Sequence, residues 1–187
     1  NDISGGEVLF DGINVHTLSS NELRKMRPQM QIIFQDPYSS LNPKITIGEA
    51  IIEPMLVHNL FTSRAEAVKK ATEILEKVRL TPDAFYKYPH EFSGGQRQRI
   101  VIARALAVQP EFIICDESVS ALDVSVQAEI LNLLNDFKDE FGLTYIFISH
   151  DLAVVKYMSD RIMVLQNGGL VEINKTEELY SSPASDY

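Results

Sequence analysis

Short apolar runs open and close this chain, with helical periods between them. Positions 7–10 and 13–15 flank Asp11-Gly12, a pair suited to the positive φ angles of a two-residue hairpin, so two short strands are expected there. Ser19 followed by Glu22 predicts a capped short helix, stopped by Pro28. Positions 30–34 (MQIIF) then read as a strand, closed by Gln35-Asp36-Pro37. From Pro37 to Pro89 the pattern changes to helix and loop. Positions 38–43 cluster Ser, Asn and Pro, as loops do. Ser63 with Glu66 predicts the start of an amphipathic helix whose apolar face is Val68, Ala71, Leu75 and Val78. This stretch reads as a helical lobe inserted between strands.

Strand and helix alternate again after Glu91. Ser93-Gly94-Gly95-Gln96 opens a helix, and the apolar run 112–115 follows as a parallel strand buried on both faces. Val126, Ile130, Leu133, Leu134, Phe137 and Phe141 carry a helical period ended by Gly142. Positions 145–148 form a second buried strand leading to Ser149-His150, and Asp151 can cap the next helix. Positions 162–165 and 170–173 flank Asn167-Gly168-Gly169, a second hairpin signal. The order is β, helical insert, then βαβαββ.

Composition narrows the classes. A chain of 187 residues with 45% hydrophobic content builds one packed domain, with room for a small inserted lobe. It has no apolar run of ~18 residues to span a membrane, and no charged-then-apolar leader opens it. One cysteine, Cys115, leaves no internal disulfide framework and reads as a small core hydrophobe in a reducing compartment. A net charge of −9 argues against a broad nucleic-acid-binding face, with Arg97, Arg99 and Arg104 as a local basic exception.

Four signals carry chemistry, each with a plainer alternative. Ser93 to Gln96 is by itself a capping box. Two adjacent glycines in a helix's first turn cost roughly 1 kcal/mol each against alanine, and close approach of a phosphate to bare backbone is one reason to keep them. Asp116-Glu117 ends an apolar strand, where acids often only cap the next helix. At the C-terminal edge of a parallel sheet they can also serve a magnesium ion, Asp116 through a bound water, with Glu117 orienting or deprotonating an attacking water. His150 and Gln35 likewise follow apolar strands. A lone histidine is usually packing or surface, but on this rim it could donate to a terminal phosphate, and the Gln35 amide could reach metal or water. A bare helix start beside a carboxylate pair suggests phosphate and magnesium chemistry.

In this order the set resembles the ATP-binding cassette (ABC) ATPases, over essentially the whole chain. Gln35 matches the Q-loop, FSGGQ at 92–96 the signature (usually LSGGQ), and FIICDE at 112–117 the Walker B strand with its catalytic glutamate. Ser120-Ala121-Leu122-Asp123 matches the D-loop and His150 the switch histidine. QDPYSSLNP and DESVSALDVSVQAEILNLL resemble the oligopeptide/dipeptide importer branch, whose ATPases energise uptake of peptides or nickel. The resemblance implies an α/β P-loop NTPase (RecA-like) core with an inserted helical subdomain, truncated at its N-terminus. Residues 1–35 would be the remnant of the first part, 36–106 the helical subdomain, and 107–187 the core with Walker B, D-loop and switch histidine.

It also implies ATP and Mg2+ as cofactors. Glu117 and His150 would be catalytic, Asp116 and Gln35 would serve the metal, and Gln35, Ser93, Gly94, Gly95, Gln96 and Asp123 the nucleotide. Two ATPase subunits would pair head to tail, with the signature of one on the terminal phosphate of ATP held by the other and Asp123 coupling the sites. The helical lobe would face an integral-membrane permease, loop 38–43 being the expected contact, at the cytoplasmic face of the cell membrane. No nucleic-acid partner is expected.

One element of the family is missing. None of the nine glycines is followed by lysine, so the phosphate cradle G-x-x-x-x-G-K-[ST] is absent. The resemblance implies that the chain begins just after it and stops early near 182–187. Without the cradle this piece alone is expected neither to bind ATP tightly nor to turn it over, and to expose apolar surface and unpaired edges. Two other functions fit in part. A non-transport ABC protein of DNA or ribosomes conflicts with the acidic charge and the lack of coiled-coil heptads, and co-purification would separate the two. A non-catalytic interaction module would lack an in-frame cradle upstream in its gene.

Overall fold

The computed structural model describes residues 5–182, so the reading of a stop near 182–187 lies, beyond Ser182, outside the described residues. The opening hairpin pairs β1 (Leu9–Phe10) with β2 (Ile13–Asn14) antiparallel. Asp11 and Gly12 turn it at φ +48° and +77°, the positive angles that a tight hairpin turn needs. Ser19 caps α1 (Ser20–Met26) with a reciprocal Glu22 bond, and Pro28 sits in a short 3-10 turn leading to β3 (Met30–Ile33).

The central sheet is parallel, in the order β3, β4 (Phe112–Asp116), β5 (Thr144–Ile148). Parallel neighbours need crossovers. The β3-to-β4 crossover is the helical lobe, and the β4-to-β5 crossover is α5 (Val124–Phe141), ended by Gly142 at φ +66°. The lobe contains α2 (Ile47–Val57), α3 (Arg64–Lys77) and α4 (Gly94–Leu106). The helix α2 was not foreseen, because Pro54 interrupts its pattern. Its start was legible, since Thr46 accepts from Glu49 N as an N-cap does. At α3 Ser63 caps as expected, while the Glu66 carboxylate turns back to Thr62 rather than closing a box on Ser63. Ala71, Leu75 and Val78 are fully buried, joined by Ala67, Ile51, Ile52, Met55, Ile100 and Ile102.

After β5 come α6 (Leu152–Met158), capped by Asp151, and the hairpin β6 (Arg161–Gln166) and β7 (Gly169–Lys175). Asn167 and Gly168 turn that hairpin at φ +50° and +79°. A last helix, α7 (Thr176–Ser181), was not foreseen.

Two expectations need correction. Strands β4 and β5 are not buried on both faces. Register aligns Ile33, Cys115 and Phe147 toward the packed side, with Ile33 and Cys115 fully buried, and Ile32, Ile114 and Ile146 toward the other. There Ile32 is 39% exposed and Ile146 and Ile148 each 46%, so this face presents the exposed apolar surface that was expected. The basic residues of α4 are not an exposed patch either. Arg97 donates to the Pro89 carbonyl at 2.7 Å beneath the Tyr38 ring, and Arg99 reaches Val78 O at 3.2 Å and Glu129 at 2.5 Å. Arg104 reaches Ser40 O at 2.5 Å. These cations hold backbone carbonyls and loops together inside the protein, since a buried guanidinium needs acceptors.

Candidate active site at the strand ends

Parallel register brings the residues that follow three strands to one rim. Gln35 comes from β3, Asp116 and Glu117 from β4, and His150 from β5. Glu117 has φ +47°, a left-handed conformation that costs a side-chain-bearing residue on the order of 1–2 kcal/mol. Such strain persists only where the surroundings fix it. Here Glu117 N donates to Ile148 O at 3.0 Å, and its carbonyl accepts from Ser120 N at 3.1 Å and Ser120 Oγ at 2.9 Å.

The Glu117 carboxylate is thereby aimed at its neighbours. Oε2 accepts from Gln35 Nε2 at 2.9 Å, and Oε1 lies 3.3 Å from His150 Nδ1. Gln35 Nε2 also reaches Ser120 Oγ at 3.2 Å. A carboxylate held by an amide and an imidazole at a sheet edge is oriented and still partly open to solvent, as a water-activating base requires.

Asp116, the last residue of β4, borders a cavity of about 520 Å³ with Phe34, Gln35, Asp36, Ser39, Ser40 and Arg104. Asp36 closes the loop by accepting from Tyr38 N at 2.9 Å and Ser39 N at 3.3 Å. Burial lowers the Arg104 pKa, against the opposing charge of Glu53. Among the described residues no side chain bonds the Asp116 carboxylate, and no cluster of three or more His, Cys, Asp or Glu forms a closed metal cage. Oxygen donors that leave most positions to other ligands suit Mg2+, which keeps its waters and takes phosphate oxygens.

The start of α4 stands apart, with no hydrogen bond from Ser93–Gln96 to the Gln35–Glu117–His150 group. Ser93 is exposed, its Oγ accepting from Gln96 N at 3.3 Å and its N–H donating to Gln96 Oε1 at 3.0 Å. The two glycines differ. A Cβ on Gly94 would meet only Leu122 Cδ2, at 3.9 Å, whereas one on Gly95 would stand 2.4 Å from Val126 Cγ1. Gly95 therefore has a packing reason within the chain, and only Gly94 leaves open backbone unexplained. Asp123 caps α5, its Oδ1 accepting from Val126 N at 3.0 Å and Ser125 Oγ at 2.8 Å, and these bonds hold its carboxyl below the usual range. That capping role was missed, although Asp before an apolar helical period signals it. Arg104 was not foreseen at the site, and Ser120 only as part of the D-loop match.

A family model described as ABC transporter matches residues 2–120, well over half of the chain. The chain belongs to the ABC transporter family. The oligopeptide transport ATP-binding protein OppF of Bacillus subtilis is 54% identical over 183 residues, covering 97% of this chain and 60% of that protein. The glutathione import ATP-binding protein GsiA of Escherichia coli O157:H7 is 51% identical over 98% of this chain and 29% of its own length. The chain thus spans about three fifths or less of the length of these relatives. The dimeric post-hydrolysis state of the ATP-binding cassette MJ0796, bound to ADP and Pi, is 32% identical with a TM-score of 0.79, over 92% of this chain and 74% of that one. The fold is accordingly the α/β P-loop NTPase fold of ABC ATPases, with the three strand-end residues on the edge where such sheets place their chemistry.

Proposed function

We propose that the whole protein is the ATP-hydrolysing subunit of an ABC importer of peptides. The observation that carries this is the Gln35–Glu117–His150 group, built from three strand ends in a chain of this family. Relatives named for peptide and glutathione import support the substrate class.

Glu117 is the general base for the attacking water, and His150 holds its carboxylate and contacts the terminal phosphate. Asp116 and the Gln35 side-chain amide would hold Mg2+, which would neutralise phosphate charge when bound. Ser93, Gly94, Gly95 and Gln96 meet the terminal phosphate of ATP on a second subunit paired head to tail, and Asp123 links the two sites while capping α5. The dimeric state of MJ0796 supports such a pairing. Binding of the inner phosphates needs a cradle this chain does not contain, because no glycine in it is followed by lysine.

The division into 1–35, 36–106 and 107–187 follows from this reading. The lobe 36–106 docks on a membrane permease at the inner face of the cell membrane, and loop 38–43, with Tyr38 63% exposed beside the Arg97 guanidinium, is the contact. No helix among the described residues is long and apolar enough to cross a membrane.

The test is co-purification and reconstitution of the complete protein. Recovery with an integral-membrane partner, and ATP-dependent peptide uptake into proteoliposomes, is expected. Recovery with nucleic acid or ribosomes instead, or uptake indifferent to ATP, would overturn it.

A further inference from the structure

Ser120 lies three residues past Glu117, in the exposed turn before α5, and its hydroxyl makes two contacts at once. It donates to the Glu117 carbonyl at 2.9 Å and accepts from Gln35 Nε2 at 3.2 Å. A hydroxyl has one proton to give. With that proton committed to the backbone, Ser120 Oγ can only accept, so the nitrogen of the Gln35 amide, not its oxygen, must face it. The same nitrogen donates to Glu117 Oε2 at 2.9 Å, so two acceptors fix one amide. Because an amide is planar, its Oε1 then points away from both.

We propose that Ser120 is a positioning residue of the ATPase site. One hydroxyl ties the left-handed backbone of Glu117 to the orientation of the Gln35 amide, so that the carboxylate and the neighbouring amide oxygen keep a single geometry. Ser120 acts through Gln35 and Glu117 and does not touch the nucleotide. The inference rests on the ATPase reading above, yet the contact network exists without nucleotide and can be read directly.

The test uses the complete protein with Ser120→Ala and Ser120→Thr. In the alanine variant kcat for ATP hydrolysis falls about ten-fold while KM for ATP stays within about two-fold, as loss of one aligning hydrogen bond implies. Threonine keeps the hydroxyl and restores kcat to within about three-fold. In Gln35→Ala, adding Ser120→Ala lowers kcat no further, because the two act through one contact. Without nucleotide, the Gln35 side-chain amide resonances shift and exchange faster with water in Ser120→Ala but not in Ser120→Thr. Wild-type kcat with unmoved Gln35 resonances in Ser120→Ala would overturn the proposal, as would a change in KM alone. If the unaltered protein does not hydrolyse ATP, the ATPase reading fails, and the resonances still decide whether Ser120 orients Gln35.

Discussion

Gly95, in the first turn of α4, packs so tightly on Val126, in the first turn of α5, that a Cβ at Gly95 would stand 2.4 Å from Val126 Cγ1. Two helix starts meet there, and the Asp123 cap of α5 belongs to the same junction, since its carboxylate accepts the Val126 N–H at 3.0 Å. The second glycine of the signature is therefore fixed by the protein's own packing before any ligand is considered.

Gly95→Ala separates these causes. Helix propensity favours alanine by roughly 1 kcal/mol, but forcing a methyl against Val126 costs about 1–3 kcal/mol, and the clash wins. A net loss of up to about 2 kcal/mol in urea unfolding is expected, largely recovered by adding Val126→Ala. Gly94→Ala, whose nearest contact would be 3.9 Å away, meets no clash and should gain up to about 1 kcal/mol from helix propensity. Equal stability of the two single variants would remove the packing account.

Much of this was legible in the chain itself. Asp11-Gly12 and Asn167-Gly168 announced both hairpins because few residue pairs tolerate their positive φ angles. Ser19, Ser63 and Asp151 announced helix starts because unpaired N–H groups need an acceptor. The strand-end positions of Gln35, Asp116, Glu117 and His150 followed from apolar runs, since such runs become parallel strands with a common edge. What stayed hidden depends on distances between segments far apart in sequence. The left-handed Glu117, the Ser120 bridge to Gln35 and the internal use of Arg97, Arg99 and Arg104 leave no local pattern. Helix α2 was masked by a proline, and the open face of the sheet could not be told from a buried one because isoleucine reads the same on both.

Glu117→Gln tests the base. The amide matches the carboxylate in size and its oxygen can still accept from Gln35 Nε2, so folding should be preserved. In the complete protein hydrolysis should fall by about 10²–10⁴-fold, the usual contribution of a positioned base, while ATP binding is retained. Hydrolysis within a few-fold of the unaltered protein would move the base elsewhere.

Cys115 sets a pH limit. Its thiol is fully buried, and burial pushes its pKa from 9.0 up to about 12. The raised value means that the unfolded chain loses this proton first as pH rises. The folded state is therefore unpenalised below about pH 9 and weakens from there toward about 12. Each pH unit in that window costs about 1.4 kcal/mol from this one group. Cys115→Ala should flatten the fall in stability between about pH 8 and pH 10.5 relative to the unaltered chain, whatever its effect at neutral pH. Parallel pH profiles would mean that the thiol titrates alike in both states.

The row Ile32–Ile114–Ile146 makes the last prediction, for the 187-residue chain on its own. A parallel sheet is normally covered on both faces, and here Ile32, Ile146 and Ile148 are 39–46% exposed on one of them. A contiguous apolar face of this kind drives association, so the chain should bind a hydrophobic dye and sediment partly as oligomers. Ile32→Gln combined with Ile146→Thr should reduce dye binding and favour the monomer at little cost in stability, because these side chains are already half in water. Ile113, fully buried, gives the contrast: Ile113→Ala should cost about 2–5 kcal/mol through lost burial and a cavity. If the double variant unfolds as readily as Ile113→Ala, the two faces are equally buried in solution and the open face does not exist. Unchanged dye binding in a folded double variant would place the sticky surface elsewhere, with exposed Leu9 and Ile13 of the first hairpin as the next residues to change.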